Sequence, residues 1–291
     1  MKMQTCLLLA ATAFSAGSMS EDKNAVPDGY NLLWADEFDK DGAPDPKNWK
    51  FENGFVRNRE AQWYQGDNAF CKDGKLIIEG RREKKPNPNF NEGSKDWKEN
   101  RKFIEYTAAS LKTAGLHSWQ YGRFEVKAKI SAKQGLWPAI WFLGVEGEWP
   151  SCGEIDLMEY YKGDILANAC WGTEKRFQAK WSTTKKPVKS FNDPDWDQKF
   201  HVWRMDWDKD SIKLYVDDIL LNNVDLNKTV NPTDKGPKNP FRQPHYILLN
   251  LAIGGDNGGD PTNTAFPTRY EIDYVRVYQK VDSSTAVTGK K

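Results

Sequence analysis

Histidine and cysteine are both scarce in this chain, with three of the first and four of the second in 291 residues. His117, His201 and His245 lie far apart, and no Cys/His pair has zinc-site spacing, so the histidines read as structural. Cys6 falls in an N-terminal apolar stretch. Cys71, Cys152 and Cys170 remain, an odd number that leaves at least one thiol free. A domain of about 270 residues builds its core without disulfide staples. No run of eighteen apolar residues exists, so nothing spans a bilayer once a leader is removed. The net charge is +1 and no large basic block is present, which excludes nucleic acid as a partner and points to a neutral or mildly charged target. Long stretches of helical periodicity, internal repeats and a convincing linker are also missing.

What the chain does have is short strand-like runs separated by turn residues. They fall at 30–38, 76–81, 108–112, 121–130, 137–143, 154–160, 165–171, 201–208, 211–216, 245–252 and 270–279. In the run at 121–130, Phe124, Val126, Ala128 and Ile130 form an apolar face, and Arg123, Glu125, Lys127 and Lys129 form a polar one. Many short strands without helices between them predict an all-β sandwich. Stretches 84–102, 183–197 and 254–267 read as loops, rich in polar residues, Gly, Asn or Pro.

Residues 1–20 read as a signal peptide, with Lys2, an apolar core from Cys6 to Ala16, and small residues offering cleavage after Ser18 or Ser20. The expected product is an exported, soluble and monomeric protein, with one domain over 21–280 and a mobile tail over 281–291. Thirteen tryptophans are many. Most serve the core, but exposed indoles suit the flat apolar faces of sugar rings, which makes carbohydrate the leading class of target.

The segment Gly153-Glu154-Ile155-Asp156-Leu157-Met158-Glu159-Tyr160 sets three acids among apolar residues. On a strand Glu154 and Asp156 share a face, and strict alternation puts Glu159 on the other. One extra residue, a β-bulge around Leu157-Met158, returns Glu159 to the same side. Three carboxylates buried together must share protons or partners, as in sites that need an acid beside a base. For these eight residues alone, a strand whose acids pair with Lys or Arg is an equal reading.

The segment resembles the signature Glu-x-Asp-x-x-Glu of family 16 glycoside hydrolases, the laminarinase-like group of endo-β-glucanases and its relatives. Four further segments resemble the same family in the same order. They are Arg57-Asn58-Arg59-Glu60-Ala61-Gln62-Trp63-Tyr64, Tyr121-Gly122-Arg123-Phe124-Glu125, Gly135-Leu136-Trp137-Pro138-Ala139-Ile140-Trp141-Phe142-Leu143 and Asp273-Tyr274-Val275-Arg276-Val277-Tyr278. The resemblance implies a β-jelly roll of two antiparallel sheets with a concave cleft. It also implies hydrolysis with retention of configuration and no catalytic cofactor. Glu154 would be the nucleophile, Glu159 the general acid/base, and Asp156 a residue that tunes them. Three strand steps and a bulge step separate the two backbones by roughly 11–14 Å. Side chains leaning inward then bring the carboxyls to the roughly 5–5.5 Å of a retaining pair.

Trp137, Trp141 and Trp149 are candidates for the cleft, with Arg57, Asn58 and Glu60 as hydrogen-bonding groups, Trp171 as a further candidate of interest and Trp119 as a weaker one. The competing reading is packing for the tryptophans, Trp141 in particular, and a capped turn for Asn58 and Glu60. Many laminarinase relatives carry a histidine-bearing segment where this chain has Ala169-Cys170-Trp171-Gly172-Thr173, a departure that leaves the sugar open. The family also implies one structural Ca²⁺, with Asp273 giving a side chain and Glu37 and Gly80 giving carbonyls. The expected substrate is a β-1,3- or mixed β-1,3/1,4-glucan. The alternatives are an endo-β-galactosidase on agar-like or mucin-type glycans, or a non-catalytic sugar-binding jelly roll.

Overall fold

The computed structural model describes residues 26–232 and 238–281. The leader expected over 1–20 and the tail beyond Val281 lie outside them. In chain order the strands are β1 (Tyr30–Asp36), β2 (Lys50–Phe51), β3 (Gln62–Tyr64), β4 (Ala69–Cys71), β5 (Leu76–Pro86), β6 (Phe103–Ala108), β7 (Ser110–Lys112), β8 (Gly122–Lys129) and β9 (Leu136–Gly144). They continue with β10 (Glu154–Tyr161), β11 (Asp164–Gly172), β12 (Ala179–Pro187), β13 (His201–Trp207), β14 (Ser211–Val216), β15 (Ile219–Asp225), β16 (His245–Ile253) and β17 (Thr268–Lys280).

Two sheets stack. A ten-stranded sheet runs β15-β14-β13-β8-β17-β5-β6-β3, with β1 also on β17 and β4 on β5. A seven-stranded sheet runs β12-β11-β10-β9-β16-β7-β2. The pairs are antiparallel except β3–β6, which is parallel. This is the all-β sandwich of the jelly-roll kind that the alternating runs predict.

Strand β8 shows why the layers form. Phe124, Val126 and Ala128 are buried, while Arg123, Glu125, Lys127 and Lys129 stay half-buried on the outer face. Outer charges pair across strands in register. Arg123 Nε donates to Asp206 Oδ1 at 2.7 Å, and Lys129 Nζ lies 2.6 Å from Glu271. Facing inward, Phe124 meets Phe142 of the other sheet edge-to-face, with centroids 5.3 Å apart. The inner faces of β10, β11 and β16 complete the core with Ile155, Leu157, Met158, Ile165, Ala167, Ile247 and Leu249.

Two loop expectations change. The run 183–197 is a loop only in its second half, because Ala179–Pro187 is an edge strand. With Ser182, Thr184 and Lys186 on one face and Trp181, Thr183 and Lys185 on the other, β12 offers no apolar alternation to read. Likewise β5 continues to Pro86, into the stretch read as a loop from 84.

The two faces of β8 predict unequal costs. Phe124→Ala removes a fully buried ring between the sheets and lowers unfolding free energy by about 3–5 kcal/mol. Arg123→Ala, on the outer face of the same strand, costs about 1 kcal/mol or less. Denaturant unfolding of both variants measures the difference.

Candidate active site

The chain enters β10 through Gly153, whose φ is +81°. A Cβ there would lie 3.0 Å from Pro240 Cβ, 3.2 Å from His245 Nε2 and 3.2 Å from Phe241 Cε1. Only glycine fits both the left-handed backbone and this close approach. The strand then alternates for three residues and breaks register. Asp156 opposes Asn168 on β11 and Trp141 on β9, whereas Glu159 opposes Leu166 and Ala139. Three steps on β10 thus match two on each neighbour, so the strand carries one extra residue. Ile155, Leu157 and Met158 are fully buried in the core, and Glu154, Asp156 and Glu159 all line the opposite, cleft side.

The cleft holds about 680 Å³ and crosses the seven-stranded sheet. Alternate residues floor it, including Trp137 and Trp141 from β9, Asn168 from β11 and Asn250 from β16. Indole donors hold the acids. Trp149 Nε1 donates to Glu154 Oε2 at 2.7 Å, and Trp137 Nε1 donates to Glu159 Oε1 at 2.8 Å. Asn168 Nδ2 donates to Glu159 Oε2 at 3.1 Å. Trp141 Nε1 donates to Asn250 Oδ1 at 2.7 Å, and Asn250 Nδ2 to the Tyr64 hydroxyl at 3.0 Å.

The electrostatics separate the three acids. Burial raises the pKa of Glu154, opposed by hydrogen bonds from Trp149 and Asp156 and by the charge of Arg57. Asp156 is 2 % exposed, and burial together with the charges of Glu159 and Glu154 holds it well above the usual carboxylate range. That shift favours the protonated form of Asp156 beside Glu154. Glu159 is pushed up to about 7 by burial and by the charge of Glu154, against the donors Trp137 and Asn168. Glu154 thus has donors and a cation working against its burial, beside a Glu159 that keeps its proton near neutrality.

Arg57, Asn58 and Glu60 stand together in one wall. Arg57 pairs with Glu52, and its guanidinium sits 5.0 Å over the Trp141 ring. Glu60 is 2 % exposed and accepts from Gln62 Nε2 at 2.7 Å and Asn58 Nδ2 at 3.3 Å. Trp137, Trp141 and Trp149 all line the cleft.

Trp119 and Trp171 do not. Trp119 packs on Trp34, 5.1 Å between centroids, and on Phe124. Trp171 lies on the core face of β11, alternate to Asn168, and belongs to the hydrophobic core. Its neighbour Cys170 is the residue opposite Glu154.

The calcium set does not assemble either. Gly80 pairs with Thr268, the first residue of β17, about 13 Å or more from Asp273 by strand rise. Its missing side chain points at Leu251 and Ile253. Asp273, the one side chain of the expected set, lies 3.4 Å from Lys127. Among the described residues, no group of three or more His, Cys, Asp or Glu could hold a metal.

The structure adds cleft residues that sequence reasoning missed, among them Glu52, Tyr161, Asn168, Trp181, Tyr246 and Asn250. Trp181 was detectable as a tryptophan in a polar stretch, once that stretch is read as a strand. Asn168 and Asn250 carry no local signal.

Comparison with known proteins agrees with this geometry. The model of the family "Glycosyl hydrolases family 16" matches residues 59–276. A beta-glucanase of Rhodothermus marinus is 33% identical, over 96% of this chain and 96% of its own length. One solved structure, from work on endo-acting O-glycanases with which prominent members of the human gut microbiota initiate mucin breakdown, is 37% identical. Its TM-score is 0.79, covering 88% of this chain and 92% of that one. The catalytic domain of an endo-1,3-beta-glucanase (laminarinase) from Thermotoga petrophila RKU-1 is 32% identical with TM-score 0.70, covering 86% and 98%.

The tight entry to β10 gives a direct test. Gly153→Ala meets both a positive φ and three close neighbours, and destabilises the fold by about 1–3 kcal/mol. Thermal unfolding registers it as a lowered Tm, whereas Gly163→Ala, with open space around its Cβ position, pays only for its own positive φ.

Proposed function

Given that the chain belongs to glycosyl hydrolases family 16, and is therefore an enzyme that cuts glycosidic bonds, we propose that it is an exported, retaining endo-β-glycosidase. Its proposed substrate is a β-1,3- or mixed-linkage β-1,3/1,4-glucan. The carrying observation is one cleft face that holds both carboxyls, with Glu159 pushed up to about 7 and the upward shift of Glu154 countered by Trp149, Asp156 and Arg57. An acid held near neutrality beside a carboxyl whose anion is met by neutral donors and Arg57 fits an acid and a nucleophile.

In the proposed reaction Glu154 attacks the anomeric carbon. Trp149 holds Oε2 of that carboxylate in place. As the glycosidic bond breaks, Glu159 passes its proton to the leaving oxygen. Glu154 is then an ester without charge, so the negative charge that raised Glu159 disappears. The ionised Glu159 takes a proton from water, and the resulting hydroxide displaces Glu154 from the sugar. Asp156, protonated throughout, donates to Glu154 and steadies its charge. Arg57 acts in the same direction from the cleft wall.

An endo mode is supported by the course of the cleft, from the Arg57–Asn58 wall to the edge strand β12, where Trp181 is 47 % exposed. Trp149, 40 % exposed, adds an aromatic rim beside Glu154. A second reading, an endo-β-galactosidase on mucin-type glycans, is favoured by the likeness at TM-score 0.79 to the structure from the O-glycanase work. Both readings use the same carboxylates and differ at the sugars bound beside them.

Purified protein incubated with laminarin, barley glucan, agarose and mucin glycans is expected to give a ladder of oligosaccharides from a glucan. A ladder from mucin glycans alone supports the second reading, and release of monosaccharide alone contradicts the endo mode. Glu154→Gln abolishes turnover and retains glycan binding, where a pure binder loses nothing. Glu159→Ala lowers kcat by about 10²–10⁴-fold, and added azide restores part of it.

The pH profile follows from the same shifts. Glu154 must lose its proton and Glu159 must keep one, so kcat/KM rises as pH passes the raised pKa of Glu154 and falls as it passes about 7. A profile still rising beyond pH 8 contradicts the assignment.

A further inference from the structure

Asn168 plays no part in the chemistry above, yet it touches the residue that carries the proton. It sits on β11 directly opposite Asp156, 4 % exposed, and the bulge in β10 brings Glu159 to the same spot. Its Nδ2 donates to Glu159 Oε2 at 3.1 Å and is also within hydrogen-bonding reach of Asp156. We propose that Asn168 is a positioning residue for Glu159: its amide and the Trp137 indole each occupy one carboxyl oxygen and fix the direction in which the transferred proton points. The proposal rests on Glu159 being the acid/base.

Two observations separate this from ordinary packing. First, Asn168 Oδ1 is buried with no hydrogen-bond partner. Leaving a buried carbonyl unsatisfied is costly, so a side chain kept for structure alone would turn to pair it. The amide instead keeps both N–H groups on the carboxyl side. Second, the Glu159 oxygens are engaged one each, Oε1 by Trp137 at 2.8 Å and Oε2 by Asn168. A carboxyl held at both oxygens cannot rotate about its last bond. The proton then has a fixed direction instead of a choice of orientations, which is what a general acid needs.

The charges facing Glu159 are few. Its own strand presents Glu154, Asp156 and Tyr161. On the β11 side stand Asp164 opposite Tyr161, Cys170 opposite Glu154, and Lys185 one strand further. Strand β9 offers Trp137 and no ionisable group, while Arg57, Glu52 and Glu60 belong to the facing wall. Among these, Glu154 is the charge that raises Glu159, and Trp137 and Asn168 are the donors that lower it. Removing the Asn168 donor therefore leaves Glu159 holding its proton to higher pH.

The test uses Asn168→Leu, close in volume and without N–H groups, in the full protein. The expected result is a basic limb of kcat/KM moved up by roughly one pH unit and a kcat about tenfold lower, with KM little changed. A purely structural role predicts loss of kcat with the limb where the wild type has it, and that result overturns the proposal, as does no change. Should the leucine variant fail to fold, Asn168→Ala also removes the donors without adding a charge, and an unmoved basic limb in it overturns the proposal equally. Glu159→Ala in the same assay separates the two readings. If it keeps wild-type activity, the acid/base assignment fails. If it loses activity that azide restores while the Asn168 variants leave the limb unmoved, the positioning role alone fails.

Discussion

One extra residue in β10 governs the site. A strand turns its side chains over every second residue, so groups three apart face opposite ways. Asp156 and Glu159 are three apart and face the same way because Leu157 and Met158 both turn into the core. Burying each of these stabilises by about 1.5–3 kcal/mol. Sliding the register to regular alternation would expel one of them into a polar cleft and bury Glu159 among Ile155 and Ile140. The core therefore holds the bulge, and the bulge holds the carboxylates.

Three acids on one face then need an electrostatic solution. Among the described residues no Lys or Arg forms an ion pair with them, and Arg57 is already paired with Glu52. The solution is a proton on Asp156 and neutral donors on the other two. Indole N–H groups suit this role. They supply a directed hydrogen bond without a charge, and the ring excludes water from the carboxylate it serves. A cationic donor would bind the acids more tightly and drag Glu159 down, out of the range in which it can keep a proton.

This explains what could be read from the chain and what could not. Strands such as β8 were legible because one face is apolar and the other charged. The bulge was legible because Leu157 and Met158 are adjacent and both apolar. Strand β12 was not, because an edge strand with polar residues on both faces has no period to detect. Tryptophans misled in both directions. Trp137 and Trp149 were read for their rings, while the structure also employs their N–H groups. The sequence offers Trp171 as a sugar-facing candidate, and the alternation of β11 turns it inward. Asn168 was invisible, since its place follows from the register between two strands and the extra residue in one of them. The Gly80 expectation failed for a similar reason, because position along β5 depends on a pairing that sequence does not print.

The two ends of the cleft differ in how freely they can change. The Arg57–Asn58–Glu60 wall is tied to the floor through Glu52, Gln62 and the Tyr64–Asn250 bond, so a substitution there disturbs buried polar groups. Strand β12 pairs with β11 alone in its sheet, and Trp181 and Lys185 are exposed. Replacing them alters what a sugar meets while leaving the register of β10 untouched. Chemistry is thus fixed at the sheet's centre, and recognition can drift at its edge. Relatives with the same fold, one a laminarinase and one from work on mucin-initiating O-glycanases, fit that division of labour. The sugar that this chain prefers should accordingly be decided more by β12 and the loop leading into it than by anything on β9 or β10.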